Sequence, residues 1–260
     1  MDRHSTARPT PSYVIIPARL ASTRLPEKLL LSETGKPVIQ HTYEAAQQAM
    51  RPLGVCVAAA DPQILQAVVR FGGEAVLTDP ELASGTDRVA AVIGQKRFAG
   101  IDVVVNLQGD EPELPGRAID QVIQLLEDNP DSVMSTLATP IRTREQLDDP
   151  ACVKVVFNRN GQAIYFSRSP IPFVRDWDPG LLEAEPAVFY QHIGLYAYRR
   201  EFLLRLTRMP PSELEVLEKL EQLRVLQAGY HIAVGVIPHG ASGIDTADDY
   251  RKFVQRQRSA

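Results

Sequence analysis

The stretch Tyr13–Lys28, YVIIPARLASTRLPEK, constrains the fold more than any other part of the chain. Tyr13–Ile16 is short, apolar and largely β-branched, so it reads as a buried strand. Pro17 has no N–H to donate and ends the ladder. A loop of small and hydroxyl residues follows and carries three cations, Arg19, Arg24 and Lys28. Ala21, Ser22 and Thr23 leave its backbone open to close approach. Cations placed along the loop after the first strand of an α/β sheet suit a triphosphate, the arginines as forked donors and Lys28 as a point charge. Ligands of such sheets sit off the carboxyl ends of the strands. A solvated basic connector has the same composition. The glycines of a Walker loop or a dinucleotide fingerprint are missing.

Strand and helix patterns alternate through the first half. Val38–Met50, Pro62–Phe71, Ser84–Lys96 and Pro115–Glu127 have helical spacing; Gly54–Ala60, Ala75–Thr78 and Ile101–Leu107 read as strands. Ser84 and Asp87 outline a capping box. Such alternation gives βαβ units and a mostly parallel sheet. Beyond residue 130 the rhythm changes. Ser132–Ala138 reads as a strand, followed by a Pro/Arg/Asp-rich connector. Val153–Asn158 and Ala163–Ser167 flank Arg159-Asn160-Gly161, a hairpin signal. Val174–Pro186 is polar and irregular and reads as a mobile excursion. Gln191–Tyr198 and Tyr230–Ile237 read as strands; Arg199–Thr207, Glu215–Gln227 and Thr246–Gln257 as helices. The fold class expected is α/β, a mostly parallel sheet with helices on both faces and a smaller antiparallel portion in the second half. With no internal repeat and no Pro/Gly-rich linker, residues 13–260 read as one domain behind a disordered tail, 1–12.

Charge and length exclude some functions. A net charge of −4 argues against nucleic acid bound by bulk electrostatics. No apolar run approaches 18 residues, so no spanning helix and no membrane partner are expected. The first 12 residues lack the apolar region of a signal peptide. Two cysteines make no disulfide framework, and Cys56, in VCVAAA, reads as a core residue. A cytoplasmic location is expected.

An acidic pole faces the cationic loop. The strand ending at Leu107 delivers Gln108-Gly109-Asp110-Glu111-Pro112 at its carboxyl end, the edge from which Arg19 emerges. A carboxylate there suits Mg²⁺ held by one or two carboxylates and substrate phosphates. Gly-Asp-Glu-Pro is also good turn chemistry. Asp245, in Gly243-Ile244-Asp245-Thr246, is either a second carboxylate for the metal or a cap for the last helix.

PARLASTRLPEK, SGTDRVA, VVNLQGDEP, VKVV, YFSRSPIP, HIGLYAY, LEKLEQLRVL and GIDT occur in this order. With them the chain resembles the 3-deoxy-manno-octulosonate (Kdo) cytidylyltransferases, or CMP-Kdo synthetases, over residues 13–256. QGDEP is shared more widely; the YFSR, HIGLYAY and LEQLR set is far more specific. The resemblance implies a Rossmann-like nucleotidyltransferase fold, a homodimer, Mg²⁺, and formation of CMP-Kdo and pyrophosphate from CTP and Kdo for lipopolysaccharide synthesis. It implies that Arg19, Ser22, Arg24 and Lys28 meet the nucleotide, with Ser84 and Arg88 nearby. Arg19, Lys28 and Asp110 would be catalytic, and Asp110 and Asp245 would hold the metal. Gln108, Arg168, His192, Tyr196, Glu221 and Gln222 would shape the sugar pocket. Read without the family, His192 suits a satisfied strand histidine, and Glu221 with Arg224 an ordinary i,i+3 surface pair.

Two departures stand out. Position 27 usually holds glycine in the family but here is Glu27, whose carboxylate could pair with Lys28. The second strand usually ends Ala-Thr-Asp; here Ala58-Ala59-Ala60 precede Asp61. Related acceptors, 8-amino-Kdo or sialic acid, and a non-catalytic nucleotide-binding module stay open as alternatives.

Overall fold

A computed structural model describes residues 10–240 and 243–259. The first half alternates as expected: β1 (Ser12–Ala18), α1 (Val38–Gln47), β2 (Val55–Ala59), α2 (Pro62–Arg70), β3 (Glu74–Leu77), α3 (Gly85–Ile93), β4 (Val103–Asn106) and α4 (Gly116–Asp128). β1 pairs in parallel with β2 and with β4, and β2 with β3. β1, β2 and β4 are buried on both faces, so they read as continuous apolar runs; β3, at the edge, is half-buried. Successive side chains nevertheless serve opposite faces. Val14, Ile16, Val57 and Val105 join one core cluster with residues of α1, α2 and α4. Ile15, Cys56 and Val104 join a second with α3. Cys56 is fully buried, and burial pushes its thiol pKa up to about 12.

The second half extends the same sheet. It runs β5 (Ser132–Pro140), α5 (Arg144–Asp148), β6 (Lys154–Phe157), β7 (Ala163–Ser167), β8 (Tyr190–Arg199), α6 (Arg200–Leu206), α7 (Glu213–Glu218), α8 (Gln222–Gln227), β9 (His231–Val236) and α9 (Ala247–Ser259). β8 lies antiparallel between β4 and β5, and β5 pairs in parallel with β9. The order is β3-β2-β1-β4-β8-β5-β9, with the β6–β7 hairpin attached to β8. β8 therefore begins at the edge where β1 and β4 end. Among the described residues no helix is long and apolar enough to cross a membrane.

Three expectations need correction. The helix expected over 215–227 is two short helices, α7 and α8, broken where Lys219 takes the left-handed conformation (φ 54°, ψ 47°). Leu214, Leu217, Leu220, Leu223 and Leu226 recur every third residue, and three residues turn an α-helix by about 300°. A continuous helix would carry that stripe around its surface. The break turns Leu220 and Leu223 into the core and leaves Leu217 79% exposed. The connector after β5 contains α5, capped by Thr143, whose hydroxyl accepts from Gln146 N at 3.2 Å. Finally, Ser12 starts β1, and Thr10 and Pro11 are bound to the body of the protein rather than part of a tail. The Pro11 carbonyl accepts from Asp102 N and Val103 N at 2.8 and 3.1 Å, and Ser12 is buried at the start of β1. Residues 1–9 lie outside the described residues.

The start of α4, which follows the QGDEP turn, is packed backbone to backbone against the end of α1. A Cβ on Gly116 would lie 2.6 Å from Ala49 N and Gln48 C. Gly116→Ala is therefore expected to destabilise the protein by about 1–3 kcal/mol, the usual cost of overpacking. Urea unfolding checks this.

Candidate active site

The carboxyl ends of β1 and β4 open onto a cavity of about 610 Å³. Its wall is the loop after β1, with Arg19, Ser22, Arg24 and Lys28. Ser84 and Arg88 come from the start of α3, and Gln108 and Asp110 from the turn after β4. Asp245, just before α9, closes it. Nine residues singled out from the sequence as nucleotide, metal or sugar ligands thus meet at one place.

Charge organises this cavity. Lys28 Nζ binds Asp110 Oδ2, donates to Asp245 Oδ1 at 3.0 Å and to the Ile244 carbonyl at 2.9 Å. Arg24 Nη2 also meets Asp245 Oδ1 at 3.0 Å. Burial acts to lower the Lys28 pKa, but Asp110 and then Asp245 outweigh it and hold the ammonium above its ordinary value. Two carboxylates and a carbonyl thus surround one cation. This all-oxygen donor set fits a hard divalent ion that completes its shell with phosphate oxygens. Among the described residues no group of three or more His, Cys, Asp or Glu side chains converges as a self-sufficient metal site.

The departures at positions 27 and 60 acquire structural reasons. Glu27 has φ 52°, ψ 24°, the left-handed region that favours glycine. Among the described residues its carboxylate is no ion-pair partner of Lys28, which turns to the two aspartates instead. Asp61 Oδ2 accepts from Leu20 N at 2.8 Å, so the displaced acid anchors the cationic loop to the end of β2.

Ser84 caps α3 as expected. Its hydroxyl accepts from Asp87 N at 3.0 Å, and Asp87 Oδ2 accepts from Ser84 N at 3.1 Å. Arg88 reaches the cavity wall, yet its guanidinium is committed elsewhere. It is 2% exposed and donates to Thr78 Oγ1 at 2.9 Å and to the Asp79 carbonyl at 2.8 Å. It braces the 78–82 loop.

The residues expected to shape the sugar pocket fall into separate groups. Gln108 lines the cavity just described. Glu221 accepts from Thr86 Oγ1 at 2.5 Å, and Tyr196 OH donates to Gln222 Oε1 at 3.4 Å. Glu221 is not the surface partner of Arg224: Arg224 makes a two-pronged pair with Glu215 (Nε to Oε2, 2.7 Å). Burial raises the Glu221 pKa, and burial followed by Glu221 raises that of Tyr196. Gln222 Nε2 is buried with no partner among the described residues. His192 packs its ring 5.3 Å from that of Tyr196 and shares a hydrogen bond with Thr136 Oγ1 at 3.0 Å. Burial pushes its pKa down to about 3, so it is a neutral strand histidine. Its other side lines a second cavity, of about 1010 Å³, which shares Asp245 with the first. Arg168 touches neither cavity; its Nε donates to the Glu218 carbonyl at 2.7 Å and its Nη1 to the Pro150 carbonyl at 2.9 Å.

Glu111 is the residue that sequence reasoning passed over. It stands beside Asp110 in QGDEP and lines the second cavity with Asp245. Its Oε2 is buried without a hydrogen-bond partner among the described residues. Burial, then the charges of Asp110 and Asp245, push its pKa up to about 8. The only signal in the sequence was its adjacency to Asp110.

A cationic loop facing a carboxylate pair at the carboxyl edge of a mostly parallel sheet defines a nucleotidyltransferase. The chain matches the cytidylyltransferase family over residues 13–232 and belongs to that family. It is 48% identical to a 3-deoxy-manno-octulosonate cytidylyltransferase of Rhodopirellula baltica over 95% of this chain and 98% of the relative. It is 44% identical to an 8-amino-3,8-dideoxy-manno-octulosonate cytidylyltransferase of Shewanella baltica, covering 94% and 97%. A solved CMP:2-keto-3-deoxy-manno-octonic acid synthetase in complex with CTP superposes with a TM-score of 0.87 at 39% identity, over 96% of this chain and 99% of that one.

Glu111 sets a pH dependence. Between its ordinary value of 4.5 and about 8, the folded protein holds a proton that the unfolded chain has lost. Stability must therefore fall as pH rises through that window, by up to about 1.4 kcal/mol per pH unit. In metal-free buffer, Glu111→Gln is expected to remove this slope and to be the more stable protein at pH 8. Parallel urea titrations of both proteins from pH 5 to 8.5 check it.

Proposed function

We propose that the protein transfers CMP from CTP to Kdo, releasing pyrophosphate, for lipopolysaccharide synthesis. The observation that carries this reading is the joining of Arg19, Arg24 and Lys28 to Asp110 and Asp245 within one cavity. The near full-length likeness to Kdo cytidylyltransferases supplies the acceptor.

In this reading the anomeric hydroxyl of Kdo attacks the α-phosphorus of CTP. A new P–O bond forms as the bond to the bridging oxygen breaks; pyrophosphate leaves with that electron pair, and the hydroxyl proton passes to solvent. Positioning and charge neutralisation do most of the work in such displacements. Arg19 and Arg24 offer forked donors to the phosphates and Lys28 a point charge. Ser22 and the start of α3 at Ser84 border the nucleotide, where aligned backbone amides favour an anion. Mg²⁺ would be held by Asp110 and Asp245 and would offset the charge developing on the leaving pyrophosphate. The residues that would meet the sugar acid are Arg168 for its carboxylate and Gln108, His192, Tyr196, Glu221 and Gln222 for its hydroxyls; of these Gln108 and His192 line the two cavities, and the others stand behind them. The enzyme works as a homodimer in the cytoplasm, and sedimentation measures the oligomer directly.

A pyrophosphate-release assay tests the reading. With CTP and Mg²⁺, kcat/KM is expected to be highest for Kdo, low for sialic acid and nil for glucose-1-phosphate. Asp110→Ala should keep the fold and lose on the order of 10²-fold or more in turnover, the scale for removing a preorganised charge. Preference for 8-amino-Kdo, the acceptor named for the Shewanella baltica relative, would reassign the sugar but not the reaction. Near-normal turnover by the Asp110 variant would overturn the reading.

A further inference from the structure

VKVV, YFSR, LEKLEQLR and SGTDR lie far apart in the chain, yet hydrogen bonds join them into one scaffold. Lys154, in β6, is 0% exposed, one of the largest fully buried side chains in the protein. Its Nζ donates to the carbonyls of Asp149 at 2.9 Å, Cys152 at 2.6 Å and Arg168 at 2.6 Å. Among the described residues all its acceptors are main-chain oxygens, and no carboxylate pairs with it. Burying an ammonium group costs several kcal/mol before any bond is made. An apolar side chain could fill the same space, so packing alone does not account for a lysine here.

The three carbonyls give the reason. Two belong to the turn after α5 and the third to Arg168, at the end of β7. The same turn holds the Arg168 side chain through the Pro150 carbonyl. Arg168 is in turn clasped by the end of α7. Its N donates to Glu218 Oε2 at 2.9 Å, its Nε to the Glu218 carbonyl at 2.7 Å, and Ser167 Oγ to Glu218 Oε1 at 2.6 Å. Directly after Glu218 comes the left-handed break at Lys219, which aims Glu221 at Thr86 of α3 and brings Gln222 to Tyr196. One buried ammonium thus fixes the turn, the turn and Lys154 together fix Arg168, and Arg168 fixes the point from which the chain bends towards Glu221 and Gln222.

We propose that Lys154 is a positioning residue for the acceptor sugar acid. It sets Arg168 directly and sets Glu221 and Gln222 through Glu218, while leaving the nucleotide cavity untouched. This rests on the reading above, in which those residues meet the acceptor.

The test separates the two substrates. Lys154→Met keeps the aliphatic stem and removes all three donors. It is expected to raise KM for Kdo at least 10-fold while CTP binding, measured by calorimetry with Mg²⁺, stays within about twofold of wild type. A purely structural role would lower thermal stability without this split. Glu218→Gln, near the protein surface, keeps one acceptor and provides a second variant should Lys154→Met fail to fold. It is expected to raise KM for Kdo about threefold with CTP binding unchanged. An unchanged KM for Kdo in the folded variants, or equal weakening of both substrates, overturns the proposal. Wild-type protein is assayed beside them with Kdo and 8-amino-Kdo. Turnover of neither sinks the functional reading and this inference with it; turnover of one without the split sinks this inference alone.

Discussion

Two carboxylates, Asp110 and Asp245, share one ammonium, Lys28, and the site depends on that arrangement. The three groups come from the loop after β1, the turn after β4 and the segment before α9. Two carboxylates held on one cation repel each other, the more weakly because Asp245 is 45% exposed and screened by water. The lysine converts that repulsion into attraction and ties the first strand of the chain to its last helix. Arg24 adds a second, more exposed tie to Asp245, worth less because water screens it.

The sheet makes the arrangement possible. β1 and β4 are parallel neighbours, so the loops that leave them emerge side by side at the carboxyl edge. β8 is antiparallel to β4, so its beginning, not its end, reaches the same edge, and His192 and Tyr196 come with it. β6 and β7 hang from β8 at Lys154 and Gln191, which brings the buried lysine and Arg168 to the flank of the edge. The parallel half therefore presents charge for phosphates. The antiparallel half adds buried polar groups, His192 and Tyr196 among them, beside the charged Lys154 and Arg168.

Much of this was legible in the sequence. Apolar runs and turn residues located the parallel strands and the hairpin, because β1, β2 and β4 are buried on both faces and each turn demands its own residue types. Asp110 and Lys28 were legible because their positions follow from the ends of strands. The helix over 215–227 was misread because leucines at a spacing of three imitate a helical stripe, and only packing decides which of them turn inward. The commitments of side chains were illegible for the same reason. Arg88 looks like a phosphate ligand in SGTDR, yet it is spent on the Thr78 and Asp79 oxygens of a loop that no local pattern ties to it. Glu27 announced a lost glycine without revealing that the backbone there is left-handed.

Glu111 shows why a third acid can sit beside this pair at all. Arg19, Arg24, Lys28 and Arg88 bring four positive charges to the cavity wall, and Asp110 and Asp245 two negative ones. An ionised Glu111 would halve that excess and weaken the attraction for an incoming triphosphate. Its burial forbids that: with a pKa pushed up to about 8 it is largely protonated at pH 7. Desolvating a carboxyl group without a partner costs stability, and the protein bears that cost at the wall between its two cavities. The neutral acid spares the nucleotide side a nearby third negative charge, and it presents a hydroxyl donor rather than a third anion to the cavity it shares with Asp245 and His192.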